Sequence, residues 1–102
     1  MQIKSNVNNK TLMILLEGRL DTVTSPQLEE EINQYSFDEI NNVLLDLKEL
    51  EYISSAGLRV LLKLYKKMLA QGGEVRIINV NNVVMDIFDM TGMSNFLNIE
   101  KA

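Results

Sequence analysis

Short apolar runs alternate with polar, Asn- and Gly-containing breaks along the whole chain, and the spacing within each run separates strands from helices. Residues 2–7 and 10–17 read as two strands joined by a tight turn at Asn8-Asn9. The second carries Leu12-Met13-Ile14-Leu15-Leu16, long enough for a central strand, and Gly18 ends it. A first helix should begin at Ser25-Pro26, with Ser25 as N-cap and proline where a missing N–H costs nothing. Glu29, Glu30 and Glu31 then fall in or near its first turn, and Leu28, Ile32 and Tyr35 form its buried stripe. Val43-Leu44-Leu45-Asp46-Leu47 is nearly all apolar, as expected of a strand inside a sheet. From about residue 56 to 71, Leu58, Leu61, Leu62, Tyr65, Met68 and Leu69 keep helical spacing, with Arg59, Lys63, Lys66 and Lys67 on the other side. Gln71-Gly72-Gly73 stops this second helix through a left-handed glycine. Residues 75–80 give another strand, and residues 82–90 a third helix that buries Val84, Ile87 and Phe88 and closes at Thr91-Gly92. Phe96-Leu97-Asn98-Ile99 is a last short strand. The order strand, strand, helix, strand, helix, strand, helix, strand predicts an α/β layer fold with a mainly parallel or mixed sheet.

Tyr52-Ile53-Ser54-Ser55-Ala56-Gly57-Leu58 is the most informative stretch, because it sets two hydroxyls and a glycine where a buried strand passes into an amphipathic helix. A helix start leaves backbone N–H groups unpaired and carries partial positive charge, which suits a serine cap and equally a phosphate. On the plain reading Ser54 and Ser55 are caps and Gly57 serves tight helix–strand packing. On the functional reading a serine is modified here, since ligand and partner sites of open α/β sheets gather beyond the carboxyl ends of the strands. Asp21 and Asp46 could share that edge and hold Mg²⁺. Their plain readings are a loop carboxylate with its own turn hydrogen bonds and a paired, buried carboxylate.

Composition narrows the chemistry. With 102 residues, 46% hydrophobic and 24% charged, the chain is expected to form one globular domain, residues 1–102. A net charge of −4 disfavours nucleic acid and anionic membrane surfaces, and a basic protein surface suits it better. There is no Cys, so disulfide and thiolate chemistry are excluded, in agreement with a reducing cytoplasm. There is no His either, which removes the Ser-His-Asp triad, the Cys-His pair and most zinc sites. No signal-like apolar stretch opens the chain, and no run approaches the ~18 apolar residues of a membrane span. The expectation is a cytoplasmic protein without membrane insertion, catalytic residues, metal or cofactor. A Ser-Lys dyad on Ser55 is disfavoured because the lysines lie on a helix face pointing away from it, and no phosphate-binding Gly-x-x-x-x-Gly-Lys run is present. The methionines at 85, 90 and 93 read as filler, with Phe88 and Phe96 marking a place to look for an exposed apolar rim.

Four motifs in matching order resemble the STAS domain, specifically the stand-alone anti-sigma factor antagonists of bacteria. Gly18-Arg19-Leu20-Asp21 is similar to that family's Gly-x-Leu-Asp, Val43–Leu47 to its central strand, residues 52–58 to its phosphorylation turn, and Phe88-Asp89-Met90-Thr91-Gly92-Met93 to its third-helix ending. The resemblance implies a mixed sheet of about five strands with about three helices and a C-terminal helix short or absent. Aligned by Gly57, it puts Ser55 at the phosphorylated position, with Ser54 as the alternative, where the family usually has aspartate. Asp21, Thr22, Ser54, Ser55, Ala56, Gly57, Leu58 and Arg59 become the expected partner-binding residues. The implied partners are an anti-sigma factor serine kinase, bound when the serine is free, and a PP2C-type phosphatase that restores binding. The domain itself is expected to be a monomer or weak dimer. A cytoplasmic STAS subunit of a membrane transporter is the alternative the same resemblance allows.

Overall fold

Asn9 and Lys10 carry φ of 50° and 63°, the left-handed pair that lets a two-residue turn match the twist of its flanking strands. In the computed structural model, which describes residues 1–102, they join β1 (Gln2–Asn8) to β2 (Thr11–Leu20). The turn thus falls one residue later than Asn8-Asn9, and Asn8 pairs with Thr11. The remaining elements are α1 (Ser25–Asn33), β3 (Asn42–Ile53), α2 (Ser55–Ala70), β4 (Glu74–Val80), α3 (Asn82–Met90) and β5 (Asn98–Lys101), with single turns of 3₁₀ helix at Phe37–Glu39 and Met93–Asn95. The sheet runs β1-β2-β3-β4-β5, antiparallel at β1–β2 and parallel thereafter, so it is mixed as expected.

Successive parallel strands that step in one direction through right-handed crossovers lay all their helices on one face. Burial follows that rule. Leu12, Ile14 and Leu16 of β2, Val43, Leu45 and Leu47 of β3, and Val75 and Ile77 of β4 are buried, whereas Met13, Lys48 and Arg76 are exposed. Together with Leu28, Leu61, Leu64, Met68, Val84 and Phe88 from the helices, the buried strand positions form one continuous core. Each such fully buried Leu, Ile or Phe contributes about 1.5–3 kcal/mol relative to exposure.

Several boundaries differ from expectation, each for a physical reason. β3 continues to Ile53 rather than ending at Leu47. Its register against β2 slips by one residue between Asp46 and Glu49 and again between Leu50 and Tyr52, so alternation is broken where the strand continues. β2 likewise runs through Gly18, whose φ of 106° is open to glycine at the second slip. α1 starts at Ser25 itself, with Thr24 at the cap position. Glu29, Glu30 and Glu31 therefore lie beyond the first turn, which has no acidic residue, and Tyr35 lies past the helix end. α2 ends as predicted. Gly72, at φ 75°, donates to the Leu69 carbonyl and Gly73 to that of Met68, closing a left-handed C-cap. Along α2, Val60 and Leu64 are buried and Leu69 is exposed, so the apolar stripe is rotated from the predicted one. α3 spans residues 82–90 as read, with Ile87 only half-buried. The last strand begins at Asn98, two residues late, which leaves Phe96 partly exposed with its ring tilted 48° against that of Tyr65, centroids 5.3 Å apart.

Candidate functional site

The carboxyl ends of β2 and β3 lie side by side, Leu20 against Ile53, while β4 ends lower, where Asn81 bonds the Leu50 carbonyl; from each the chain enters a helix, so α1, α2 and α3 all begin toward the same edge of the sheet. The middle entry is the serine turn. Ser54 is extended at φ −94° and ψ 174°, and its N–H donates to the Leu20 carbonyl of the neighbouring strand at 2.8 Å. Its carbonyl accepts the Leu58 N–H at 2.9 Å, and its Oγ accepts the Gly57 N–H at 3.4 Å. Ser54 is thus the N-cap of α2 and is half-buried. Ser55 is the first helical residue and is exposed. The two adjacent hydroxyls are separated in role: one closes the helix, and the other is presented to solvent over its positive end.

Gly57 explains why the turn sits so low. A Cβ on it would lie 2.7 Å from Leu20 Cγ and 2.9 Å from Ile53 Cγ1, both fully buried side chains. The packing reading of this glycine is therefore correct: its bare backbone lets the first turn of α2 rest on the ends of β2 and β3. Leu58 is also buried, so Gly57 and Leu58 support the turn from beneath and do not line its surface. Ala56 is half-buried, and Arg59 is exposed one turn past Ser55. A cavity of about 350 Å³ between α1 and α2 opens beside them, with Thr22, Ala56, Arg59 and Lys63 among its walls.

Asp21 occupies the adjoining loop. Its Oδ1 accepts the N–H groups of Val23 and Thr24 at 3.0 Å each, while the Thr24 hydroxyl oxygen accepts the Asp21 N–H at 2.8 Å. Asp21, and not Ser25, therefore terminates the backbone donors ahead of α1; Ser25 is buried and donates to the Asp21 carbonyl. The Thr24 backbone hydrogen bond is the main reason that the Asp21 carboxyl is held below its ordinary 3.8. Partial desolvation opposes this, and bonds from the Thr24 hydroxyl and Val23 N–H and the charge of Arg19 add to it. A carboxyl lowered in the folded state stabilises above its unfolded value, and that contribution is lost as pH falls through the folded one. Asp21→Ala should therefore melt below the wild type at pH 7, with the gap narrowing as the pH falls below the ordinary carboxyl value of 3.8; melting curves across that range check this.

Asp46 does not reach this edge. It sits mid-strand between Leu15 and Ile78, on the sheet face that carries no helix, seven residues before Ile53. At ~3.3 Å per strand residue that is roughly 23 Å from the turn. Its Oδ1 accepts the Lys48 N–H and the Asn79 Nδ2–H at 3.0 Å each, so it is hydrogen-bonded as read, but half-buried and bonded to neutral groups instead of being a buried ion pair. The Mg²⁺ site considered for Asp21 and Asp46 is thus not assembled, and nowhere do three acidic, His or Cys side chains gather to hold a metal.

Sequence reasoning missed Val23 and Val83. Val23 is 81% exposed in the loop after β2, and Val83 is 57% exposed at the start of α3, so two apolar side chains are left free on the edge of the sheet where the helices begin. Asn81, also missed, caps α3 by accepting the Val84 N–H at 2.9 Å and ties that loop to β3 by donating to the Leu50 carbonyl at 2.8 Å. Only the strand order brings these three loops together; the local signal was an apolar residue outside any periodic run. The rim sought around the methionines is present in part, with Met90 81% exposed on α3, while Leu69 and Phe96 form a separate apolar patch at the far end of α2.

The STAS domain family matches residues 2–102 of this chain. The chain belongs to that family. Its STAS domain is 32% identical over 103 residues to the anti-sigma F factor antagonist of Paenibacillus polymyxa, covering 97% of this chain and 86% of the relative. It is 25% identical over 99 residues to the anti-sigma-B factor antagonist of Bacillus subtilis, covering 97% and 88%. The fold is shared with the Bacillus anti-sigma factor antagonist SpoIIAA. TM-scores are 0.78 for its unphosphorylated form (18% identity, 99% of this chain and 89% of that one) and 0.75 for its phosphorylated form (19%, 96% and 90%). No helix of this STAS domain is long and apolar enough to cross a membrane.

Proposed function

We propose that this STAS domain is an anti-sigma factor antagonist whose binding to an anti-sigma factor is switched by phosphorylation of Ser55. The observation that carries the reading is the division of labour in the serine turn. Ser54 is engaged as the cap, whereas Ser55 is exposed on the first turn of α2, on the edge that also leaves Val23 and Val83 free. The curated relatives are antagonists of anti-sigma factors, and a neighbour in fold is solved in both phosphorylated and unphosphorylated forms. The partner is an anti-sigma factor that is also the serine kinase, and a PP2C-type phosphatase reverses the modification. Val23, Ser55 and Val83 form the centre of the docking edge, with Thr22, Ala56 and Arg59 beside them.

The switch operates without refolding. Phosphate adds about −1.5 to −2 charge at neutral pH, and at an exposed helix start that charge is favourable by roughly 0.3–1 kcal/mol. The same dianion pressed into an interface that accommodates a neutral hydroxyl costs several kcal/mol. The complex is therefore lost while the domain stays folded.

Phosphosite mass spectrometry on protein recovered from its own cells, with partners taken from the same pull-down, tests the proposal. Phosphate on Ser55 and co-recovery of a soluble kinase are expected. Ser55→Ala should abolish labelling and keep the partner. Ser54→Ala should keep labelling while losing about 1 kcal/mol of cap stability, read by denaturant titration. Labelling that moves to Ser54, or a membrane permease recovered in place of the kinase, overturns the assignment; the permease would indicate a transporter subunit.

A further inference from the structure

We propose that Arg59 is a built-in clamp for the phosphate on Ser55, so that modification withdraws a free cation from the docking edge as well as adding a dianion. The inference rests on the phosphorylation reading above but is tested independently of it. Arg59 follows Ser55 by four residues, one turn along the same face of α2, about 6 Å by helical rise. Helical side chains lean toward the N-terminus, so an Arg59 rotamer that turns back toward Ser55 follows the ordinary direction of a helical side chain. An anion N-terminal to a cation at this spacing is the more favourable order of the two. The guanidinium fork also matches a phosphate with two parallel hydrogen bonds, which a lysine ammonium cannot supply.

The neighbouring cations are engaged elsewhere. Lys63, one turn further along the same groove, pairs with Glu29 of α1 at 3.4 Å. Lys67 lies over the Phe37 ring at 4.6 Å, and Arg19 over the Tyr52 ring at 4.4 Å. The two ion pairs of the chain are Lys63–Glu29 and Arg76–Glu100, so Arg59 is in neither, and the first turn of α2 holds no acidic residue to compete for it. Arg59 is exposed, unpaired and within reach of the only position where the proposed switch places new charge. In the unphosphorylated protein the same guanidinium is free to meet a carboxylate of the partner.

Phosphoserine installed at position 55 during translation tests the clamp without any kinase. The second ionisation of the phosphate is followed by ³¹P NMR in the wild type, Arg59→Gln and Arg59→Lys. The α2 dipole acts equally on all three, so the differences isolate the side chain. Arg59→Gln should raise the apparent pKa of the phosphate by about 0.3 of a pH unit, the size of an exposed i,i+4 pair, and Arg59→Lys should restore part of the shift. Without phosphate, the three proteins should melt alike, because the side chain is solvated. Equal phosphate titrations in wild type and Arg59→Gln would overturn the clamp and leave the phosphorylation of Ser55 standing. A normal clamp titration with no phosphate found on Ser55 in cells would have the opposite meaning.

Discussion

Ser55→Asp should bind the anti-sigma factor about 100-fold or more weakly, while melting at or a few degrees above the wild-type temperature. A carboxylate at the first position of α2 faces unpaired N–H groups, and the roughly 0.3–1 kcal/mol it gains raises Tm at about 4–8 °C per kcal/mol for a domain of this size. The same edge carries exposed Val23 and Val83, which a partner must cover to use it. Desolvating a carboxylate there costs several kcal/mol that an exposed i,i+4 pair with Arg59 does not offset, and each 1.4 kcal/mol is a factor of ten in affinity. Isothermal titration against the purified kinase, paired with thermal melts of the same samples, separates the two effects. A variant that binds normally, or one whose Tm falls by more than about 5 °C, would falsify the account of a switch in the interface.

Gly57→Ala has the reverse signature. Inside an exposed helix the substitution stabilises by up to about 1 kcal/mol, because alanine loses less backbone freedom. Here the added methyl meets Leu20 Cγ at 2.7 Å and Ile53 Cγ1 at 2.9 Å, and both side chains are locked in the core at 0% and 1% exposure. Neither can swing away, so the helix must lift, and overpacking of this kind costs about 1–3 kcal/mol. The net expectation is a loss of about 1–2 kcal/mol and a Tm lower by about 5–10 °C. Lifting the first turn also displaces Ser55 relative to the neighbouring loops of the edge, so partner affinity should fall as well. Equal or higher stability in Gly57→Ala would mean that the close approach of α2 to β2 and β3 is not what sets the turn.

The two variants show how much of the site was readable in the linear chain. Ser54-Ser55 before an amphipathic run announces a helix start, and Gly57 announces close packing, because capping and backbone permissiveness act within a few residues. The separation of the serines into cap and free hydroxyl was not readable, since either oxygen could take the Gly57 N–H until β3 fixed the entry angle through the Ser54–Leu20 backbone bond. The extension of β3 to Ile53 was missed for a related reason. Two register slips against β2 break the alternation of Lys48-Glu49-Leu50-Glu51, and a slip is a property of the pair of strands. Asp46 was misplaced as a consequence: with the strand expected to end at Leu47 it looked terminal, whereas it lies mid-strand with Asn79 as partner.

By itself the sequence determined the alternation of strands and helices, the start of α2 at the serine pair and its stop at Gly72, because periodicity, caps and left-handed glycines are written in neighbouring residues. Tertiary structure alone decided that Val23, Ser55 and Val83 share one edge, that Gly57 and Leu58 lie under it, and that Asp46 faces the other side of the sheet. These depend on strand order and register, which join residues far apart in the chain through hydrogen bonds that no local pattern encodes.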